Sequence, residues 1–192
     1  DYLSDGTRLN RRMHNKLWIA DNSAALIGGR NLGDAYFNAD GRSNFADLDV
    51  LSVGPVVAQA SQSFDEYWNS EWSVPIQAYA VQTPSVEQVE QLRKAFASRA
   101  DEFRQSAYAQ ALRASDLGSL VRSGRLALVA ANATVLYDHP GKLQGSAPAP
   151  QAHVMSNLRD AIASTQRELA LVSPYFVPQE RGVDVLCGLT RR

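Results

Sequence analysis

The sequence has 192 residues and a mass of 21.0 kDa, with 45% hydrophobic and 20% charged residues. These proportions are ordinary for a folded globular chain and exclude a disordered, collagen-like or coiled-coil protein. The 19 basic and 20 acidic residues give a net charge of −1. No overall charge therefore draws the chain to nucleic acid or anionic lipid, and any affinity for phosphate must come from a local site.

The single cysteine, Cys187, excludes an intrachain disulfide framework and cysteine-rich zinc sites. We expect it to be a small buried residue of the last helix rather than a nucleophile. No run approaches the roughly 20 apolar residues of a membrane-spanning helix. The sequence begins at Asp1 and stops at Arg192 directly after an apolar helical pattern, so we expect it to be an internal segment of a longer protein.

The first third of the chain predicts three strands and a helix. Strands are expected at 11–21 and 24–27, joined as a hairpin by the turn at Asn22 and Ser23, and at 45–53. In the third strand Asp47 and Asp49 are two residues apart and share one face. Pro55 is suited to begin a helix at 56–68, whose apolar spacing predicts packing on the sheet.

The rest of the chain predicts a helical connector and then a return to alternating strands and helices. Residues 86–121 are rich in Ala, Gln, Glu and Arg, which favours two polar-faced helices. Strands are expected at 126–137 and 168–174, and helices at 154–165 and 180–189. The predicted fold is α/β, with a mixed sheet flanked by helices, and it divides at 1–78, 79–124 and 125–192.

His14, Lys16 and Asp21 stand in the spacing H-x-K-x-x-x-x-D. On a strand the two-residue step places the imidazole and the ammonium on the same face. This pair suits attack on a phosphodiester, because imidazole is nucleophilic near neutral pH and lysine offsets charge on the non-bridging oxygens. Asp21 would repel a phosphate, so we expect it to turn away and brace the backbone or a cation.

Four further residues complete the predicted site. Gly28 and Gly29 let the backbone approach the same spot, and Asn31 offers an amide donor to a phosphate oxygen. Asp47 is expected to accept a hydrogen bond from His14 Nδ1 and so leave Nε2 free to attack. The three-residue spacing alone would arise by chance in roughly 1% of chains of this length, and the added glycines and asparagine make an accident far rarer. No cluster has metal-ligand spacing, so neither a metal nor another cofactor is expected.

These residues resemble the phospholipase D superfamily, whose HKD motif is H-x-K-x4-D followed by G-[GS]-x-N. The runs RLNRRMHNKLWIADNSAALIGGRNLGDAYF and FADLDVLSVGPVV, with the later VSPYFVPQERGV, are similar to the bacterial cardiolipin synthases, most of all those of type C. The resemblance is strongest at 8–72 and 172–183 and vague across the helical connector.

The resemblance implies a phospholipase D-like sandwich with two lobes and one HKD motif in each. The segment would hold the end of the first lobe (1–78), a connector (79–124) and the start of the second (125–192). His14 would become phosphohistidine, and an acid from a second motif, missing from this segment, would protonate the leaving alkoxide. The implied function is a phosphatidyl transferase, working peripherally at the bacterial inner membrane on phosphatidylglycerol and possibly phosphatidylethanolamine.

Several alternatives stay open at this stage. Tyr175 and Phe176 either line a substrate pocket or pack in an ordinary core, and His139 and His153 fit a solvated turn and a helix cap better than catalysis. The cluster Arg8, Arg11 and Arg12 fits a solvated surface better than a head-group site. A hydrolase or a nuclease-like phosphodiesterase would use the same motif, although balanced charge disfavours nucleic acid. A noncatalytic single-motif module is the remaining hypothesis.

Overall fold

Three short strands build an antiparallel sheet in which the second strand is central. The computed structural model describes residues 13–37, 44–79, 82–143, 153–173 and 175–190. The strands are β1 (Lys16–Ala20), β2 (Ala24–Gly28) and β3 (Asp49–Val53), in the order β1-β2-β3. β1 and β2 form the predicted hairpin, whose turn holds Asp21 and Asn22 at positive φ.

Six α-helices accompany the sheet within the described residues: α1 (Pro55–Trp68), α2 (Val86–Gln105), α3 (Ala107–Ala114), α4 (Leu117–Arg122), α5 (Val154–Ala163) and α6 (Gln179–Leu189). Short 3₁₀ turns lie at Asp34–Tyr36, Ile76–Ala78 and Pro140–Leu143. α1 begins as predicted at Pro55, behind Gly54, whose φ of 84° favours glycine. The connector contains three helices where the composition predicted two, because Ser106 and Asp116 take the N-cap positions of α3 and α4.

One face of the sheet packs against α1. Ala25 of β2 is buried with Val57 and Ala60 of α1, and Leu17 and Ile19 of β1 pack on this cluster. Period-two alternation along β1 and β2 sends these side chains to the same face. The predicted packing of this helix on the sheet is confirmed.

The opposite face of the sheet is organised by register into rows across the three strands. Lys16 pairs with Gly28, and Gly28 pairs with Asp49, so these three residues form the row nearest the start of β1. The next row is Trp18, Leu26 and Leu51, in which Trp18 is 72% exposed. The charged row therefore lies at the end of the sheet where His14 enters.

The chain divides into two compact units. Among the described residues, the first contains 13–32, 45–73 and those from 133 onward, and the second contains 33–37, 44 and those from 74 to 132. The sheet and α1 belong to the first unit, and α2, α3 and α4 belong to the second. The divisions predicted at 78 and 124 stay a prediction.

The structure differs from the sequence analysis at 126–137 and 168–174, where strands were expected. In the described part of the chain, residues 125–139 and 168–173 form neither helix nor strand. Side chains take backbone groups that a ladder would have used: Gln59 Oε1 accepts from Val135 N–H at 3.0 Å, and the Asp138 carbonyl accepts from Asn15 and Tyr67. The described sheet is therefore antiparallel throughout, where a mixed sheet was expected.

Two smaller expectations are also corrected. Cys187 is exposed rather than buried, because the half-buried positions of α6 are 182, 186 and 189, and residue 187 points away from that stripe. His153 does occupy the N-cap position of α5, but its side chain makes no capping hydrogen bond. Within the described residues, no helix has both the length and the apolar character needed to cross a membrane.

Candidate active site

His14 and Lys16 meet at the entrance to β1. Lys16 Nζ lies 2.9 Å from His14 Nδ1 and donates to the His14 carbonyl at 2.7 Å. His14 is exposed and Lys16 is half-buried. The predicted juxtaposition of imidazole and ammonium is therefore present in the structure.

The contact with Lys16 bears on which ring nitrogen of His14 carries the proton. A lysine ammonium has donors and no acceptor, so Nδ1 is the acceptor in this contact. The ring proton of the neutral imidazole then lies on Nε2.

Both residues line a cavity of about 410 Å³ in the first unit. Gly28 and Gly29, at the end of β2, contribute to its wall. The remaining lining residues come from β1 and its entrance, from β2, from α1 and α5, and from the later segments: Asn15, Leu17, Ile27, Ser63, Val135, Leu136, Tyr137, Asp138, Val154, Ser173 and Tyr175.

The glycine pair has a second reason to be glycine. A Cβ on Gly28 would lie 1.9 Å from Asp49 Oδ1, and one on Gly29 would lie 2.7 Å from Asp47 Oδ2. Real Cβ atoms do not approach a neighbour so closely, so a side chain at either position would displace a carboxylate. The close approach made in this structure is to the protein's own aspartates.

Arg30 holds these aspartates and was not singled out by the sequence analysis. Its Nε donates to Asp49 Oδ2 at 2.6 Å, and its Nη2 donates to the Asp47 carbonyl at 3.0 Å. An arginine between Gly29 and Asn31, with two aspartates on the next strand, was the available signal, because guanidinium matches carboxylate and carbonyl acceptors.

The hydrogen bond expected between Asp47 and His14 is not made. Asp47 Oδ1 accepts from Leu48 N–H at 2.8 Å, and its Oδ2 is buried and accepts no hydrogen bond. Nδ1 of His14 instead faces Lys16. The carboxylate stays beside Gly29 because Arg30 binds the carbonyl of the same residue.

Asp21 lies away from the imidazole–ammonium contact, beyond the far end of β1. Asp21 is exposed in the β1–β2 turn, about 17 Å along the strand from Lys16 at about 3.3 Å per residue. Its carbonyl accepts from Ser23 Oγ at 3.0 Å, so it belongs to the turn. Asn31 is half-buried after Gly29 and, among the described residues, is not part of the cavity wall.

Of the two aromatic candidates, the structure brings one to the cavity. Tyr175 lines it and packs on Phe45, with ring centroids 5.3 Å apart. Phe176 is 60% exposed and is not among the lining residues. The arginine cluster at 8, 11 and 12 lies outside the described residues.

Asp138 ties the later segment to the site and was also missed. Its carbonyl accepts from Asn15 Nδ2 at 3.3 Å and from Tyr67 Oη at 2.7 Å. Its carboxylate accepts from Lys142 Nζ and from Val154 N–H at 2.9 Å, and thereby caps α5. A cap supplied from 16 residues away leaves no local sequence signal.

Burial opposes ionisation of Asp138, but the hydrogen bonds from Lys142 and Val154 together hold its pKa below the ordinary value. A carboxyl with a lowered folded-state pKa contributes stability above its unfolded pKa of about 3.9 and loses that contribution as pH falls. We expect Asp138→Asn to lower the free energy of unfolding by about 1–2 kcal/mol at pH 7. The difference from the wild type should shrink below about pH 4.

Urea unfolding at pH 7 and pH 3 measures this effect. Asp116→Asn is the matched control, because Asp116 occupies the N-cap of α4 without a side-chain capping bond. A pH-independent loss in Asp138→Asn, or an equal loss in the control, would contradict an ionised cap at position 138.

Two tyrosines beside Asp138 are held as neutral phenols. Burial, followed by the charge of Asp138, raises the pKa of Tyr67 to about 12. Burial and the neighbouring Glu66 carboxylate raise the pKa of Tyr137 to about 12. His139 Nε2 lies 3.4 Å from Glu66 Oε2, and its Nδ1 accepts from Gly141 N–H at 3.0 Å, a turn role for this histidine.

Across the described residues, no group of three or more His, Cys, Asp or Glu side chains is arranged to hold a metal ion. What the site brings together is an imidazole ring, the lysine amine beside it and a cavity lined by both of them and by the later segment.

Comparison with known proteins identifies relatives. The chain is 34% identical over 191 residues to cardiolipin synthase C of Escherichia coli, covering 100% of this chain and 40% of that protein. An uncharacterized protein of Helicobacter pylori strain J99 is 30% identical over 187 residues, 94% of this chain and 35% of that protein. Cardiolipin synthase A of Pseudomonas entomophila is 37% identical over 62 residues, 32% of this chain and 13% of that protein.

This homology supports a cardiolipin synthase or phospholipase D-like family, in agreement with the resemblance drawn from the motif. The chain spans about 40% or less of the length of these curated relatives. No protein-family model matches the sequence, and no solved structure matches it.

Proposed function

We propose that this chain carries the nucleophilic half of a phosphatidyl transferase site of the cardiolipin synthase type. The observation that carries the proposal is the contact of 2.9 Å between Lys16 Nζ and His14 Nδ1 on the wall of a cavity. Nucleophile and cation at one point are what displacement at a phosphodiester requires. Homology to cardiolipin synthases C and A supports a phospholipid as the substrate.

The reaction has two displacements at phosphorus. His14 Nε2 attacks the phosphodiester of the donor lipid, so a nitrogen–phosphorus bond forms and the bond from phosphorus to the head-group oxygen breaks. The departing alkoxide takes a proton and leaves as the alcohol. The hydroxyl of a second phospholipid then gives up its proton, attacks the phosphohistidine and regenerates the imidazole. Water in place of that hydroxyl gives the hydrolase.

Lys16 has a role before and during attack. In the structure its ammonium lies 2.9 Å from Nδ1, and donation to Nδ1 places the proton of a neutral ring on Nε2. An anionic phosphate competes for the ammonium, and its withdrawal lets the proton move to Nδ1 and frees the Nε2 lone pair. The same cation then faces the negative charge that grows on the phosphoryl oxygens.

The other predicted site residues enter this proposal with separate parts. Asp47, whose Oδ2 is buried without a hydrogen bond, is the candidate acceptor for Nδ1–H once Lys16 has moved. Asn31 is the candidate amide donor to phosphate, and Gly28 and Gly29 form the wall beside it. Asp21 braces the turn of the strand that carries the motif. Tyr175 lines the substrate cavity, and Phe176 follows it as a candidate lipid contact.

We further propose that the acid for the leaving group comes from a second lobe, in keeping with the division at 78 and 124. Neither His139, held in its turn, nor His153 stands in a motif like that of His14. Substrates embedded in a bilayer make a peripheral site at the bacterial inner membrane the natural place of action. Phosphatidylglycerol is the proposed donor, with phosphatidylglycerol or phosphatidylethanolamine as acceptor.

A label-transfer assay tests the proposed function. We expect the full-length protein that contains this segment to move radiolabelled phosphatidyl groups from phosphatidylglycerol to a second phospholipid. The 192-residue chain alone should be slower by about 10²–10⁴-fold, because it lacks the acid. Release of phosphatidic acid without transfer would favour the hydrolase, and absence of any phosphodiester turnover in the full-length protein would refute the proposal. Equal rates for both would mean that the chain supplies its own acid.

A further inference from the structure

A second groove adjoins the candidate active site. It has a volume of about 500 Å³, in the range of about 300–1,000 Å³ that small-molecule sites occupy. Its wall is built from the entrance of β1, the outer side of α1 and the residues after that helix: Met13, Asn15, Leu17, Ser63, Phe64, Tyr67, Trp68, Ser70, Trp72 and Ser73.

The two cavities differ in chemistry. The lining residues of the groove include no charged side chain, and its surface is formed mainly by a thioether, an aliphatic chain and aromatic rings. The neighbouring cavity contains His14, Lys16 and Asp138. A charged compartment beside an uncharged apolar one matches a ligand with a charged group at one end and a hydrocarbon at the other.

The groove and the cavity share part of their wall. Asn15, Leu17 and Ser63 line both, so a ligand that reaches His14 has the groove directly beside it. Phe64 and Trp68 are four residues apart on α1, where side chains of one helix face meet. Their rings stack with centroids 5.8 Å apart and an interplanar angle of 18°.

The aromatic residues of the groove remain in contact with solvent. Met13 is 54% exposed, Phe64 48%, Trp68 67% and Trp72 47%. Exposing a contiguous apolar surface to water costs free energy. On folded proteins such a surface commonly marks a ligand-binding groove or an interaction site. Covering it with hydrocarbon would recover the free energy of apolar burial.

We propose that this groove binds one acyl chain of the phospholipid whose phosphate reacts at His14, an inference that rests on the proposed function. The acyl chain lies along Phe64, Trp68 and Trp72, while the phosphate of the same lipid lies between Lys16 and the glycine pair. Nucleobases are a poorer fit, because no lysine or arginine lines the groove and the rings of Phe64 and Trp68 already stack on each other.

Binding of short-chain lipids tests the groove without a bilayer. Dibutanoyl- and dihexanoyl-phosphatidylglycerol are titrated below their micelle concentrations, with glycerophosphoglycerol as the head group without chains. We expect affinity to rise by roughly fourfold for each methylene that enters the groove. The double variant Phe64→Ser/Trp68→Ser should lose most of this rise and bind glycerophosphoglycerol as the wild type does.

The matched control is Phe96→Ser, because Phe96 is a helical phenylalanine of α2 with 63% exposure and belongs to the other unit. It should keep the full dependence on chain length. A second measurement uses only conservative changes of tryptophan to phenylalanine, since the protein has three tryptophans, at 18, 68 and 72. With Trp18 and Trp72 changed to Phe, lipid brominated in its acyl chain should quench the fluorescence of Trp68. In the protein that retains Trp18 alone, the same lipid should leave the tryptophan fluorescence unchanged.

The outcomes separate the groove from the proposed function. If the affinity for phosphatidylglycerol does not depend on acyl-chain length in a protein that still forms phosphohistidine, the groove does not bind an acyl chain, and the proposed transferase function is unaffected. Dependence on chain length without phosphohistidine would support a lipid groove and overturn the transferase. Quenching of Trp68 by vesicles but not by monomeric lipid would replace the groove with a membrane-surface contact. Quenching by an oligonucleotide alone would replace it with a nucleic-acid site.

Discussion

Replacing His14 with alanine in the full-length protein should reduce phosphatidyl transfer to the background rate and abolish any acid-labile phosphoryl adduct. In the proposed reaction the imidazole forms the bond to phosphorus, and alanine offers no nucleophile at that position. The effect should be on turnover, because Lys16 and the glycine wall that receive the phosphate remain. Rapid quench with labelled phosphatidylglycerol measures both the rate and the adduct.

His153→Ala is the control for this experiment. His153 is an exposed histidine whose side chain makes no capping bond, so its removal should leave both rate and adduct unchanged. Labelled phosphohistidine in the His14→Ala protein would show that another histidine is the nucleophile. Loss of transfer with an intact adduct would assign His14 to the second displacement only.

Local rules predicted the hairpin and the first helix. β-branched and aromatic residues in β1, a polar turn and Pro55 all act within a few residues, and the structure has β2 and α1 close to the expected bounds. β1 and β3 are shorter than expected, since they begin at Lys16 and Asp49 rather than at 11 and 45. The strands expected at 126–137 and 168–174 depended on apolar composition alone. Whether such a run becomes a strand depends on partners far along the chain, and here Gln59 accepts from the backbone of the first run at Val135 instead.

The candidate site was predictable where its geometry follows from a short spacing. His14 and Lys16 are two residues apart at the start of one strand, and the structure has them in contact. Contacts between residues that are distant in the sequence were harder to predict. Asp47 was expected to bind His14, but Arg30, directly after Gly29, binds the Asp47 backbone carbonyl, and the sequence analysis did not use the signal of an arginine followed by two aspartates on the next predicted strand.

The glycine pair shows how one residue type serves two arguments. From the sequence, Gly28 and Gly29 indicate a backbone that approaches a phosphate. In the structure the nearest atoms to their missing side chains are carboxylate oxygens of Asp49 and Asp47. The absence of a Cβ at these two positions leaves room for the carboxylates of Asp47 and Asp49. It also leaves room for a ligand, since both glycines line the cavity.

Lys16→Gln should lower the transfer rate by about 10²–10³-fold, the loss typical when one donor to a developing oxyanion is removed. Glutamine keeps a polar donor near the phosphate and removes the positive charge. Because the charge matters most as negative charge develops on the phosphoryl oxygens, kcat should fall more than KM rises. The adduct at His14 should still form, but slowly, and steady-state kinetics with single-turnover quench measures both.

Lys94→Gln is the matched control, since Lys94 is an exposed lysine of α2 and lies in the other unit. Its rate should equal that of the wild type. Lys16→Arg should recover part of the loss, because it restores the charge with a different donor geometry. A rise in KM at constant kcat would mean that Lys16 binds the ground state alone. A faster rate in Lys16→Gln would mean that the contact with Nδ1 restrains His14 more than the cation assists it.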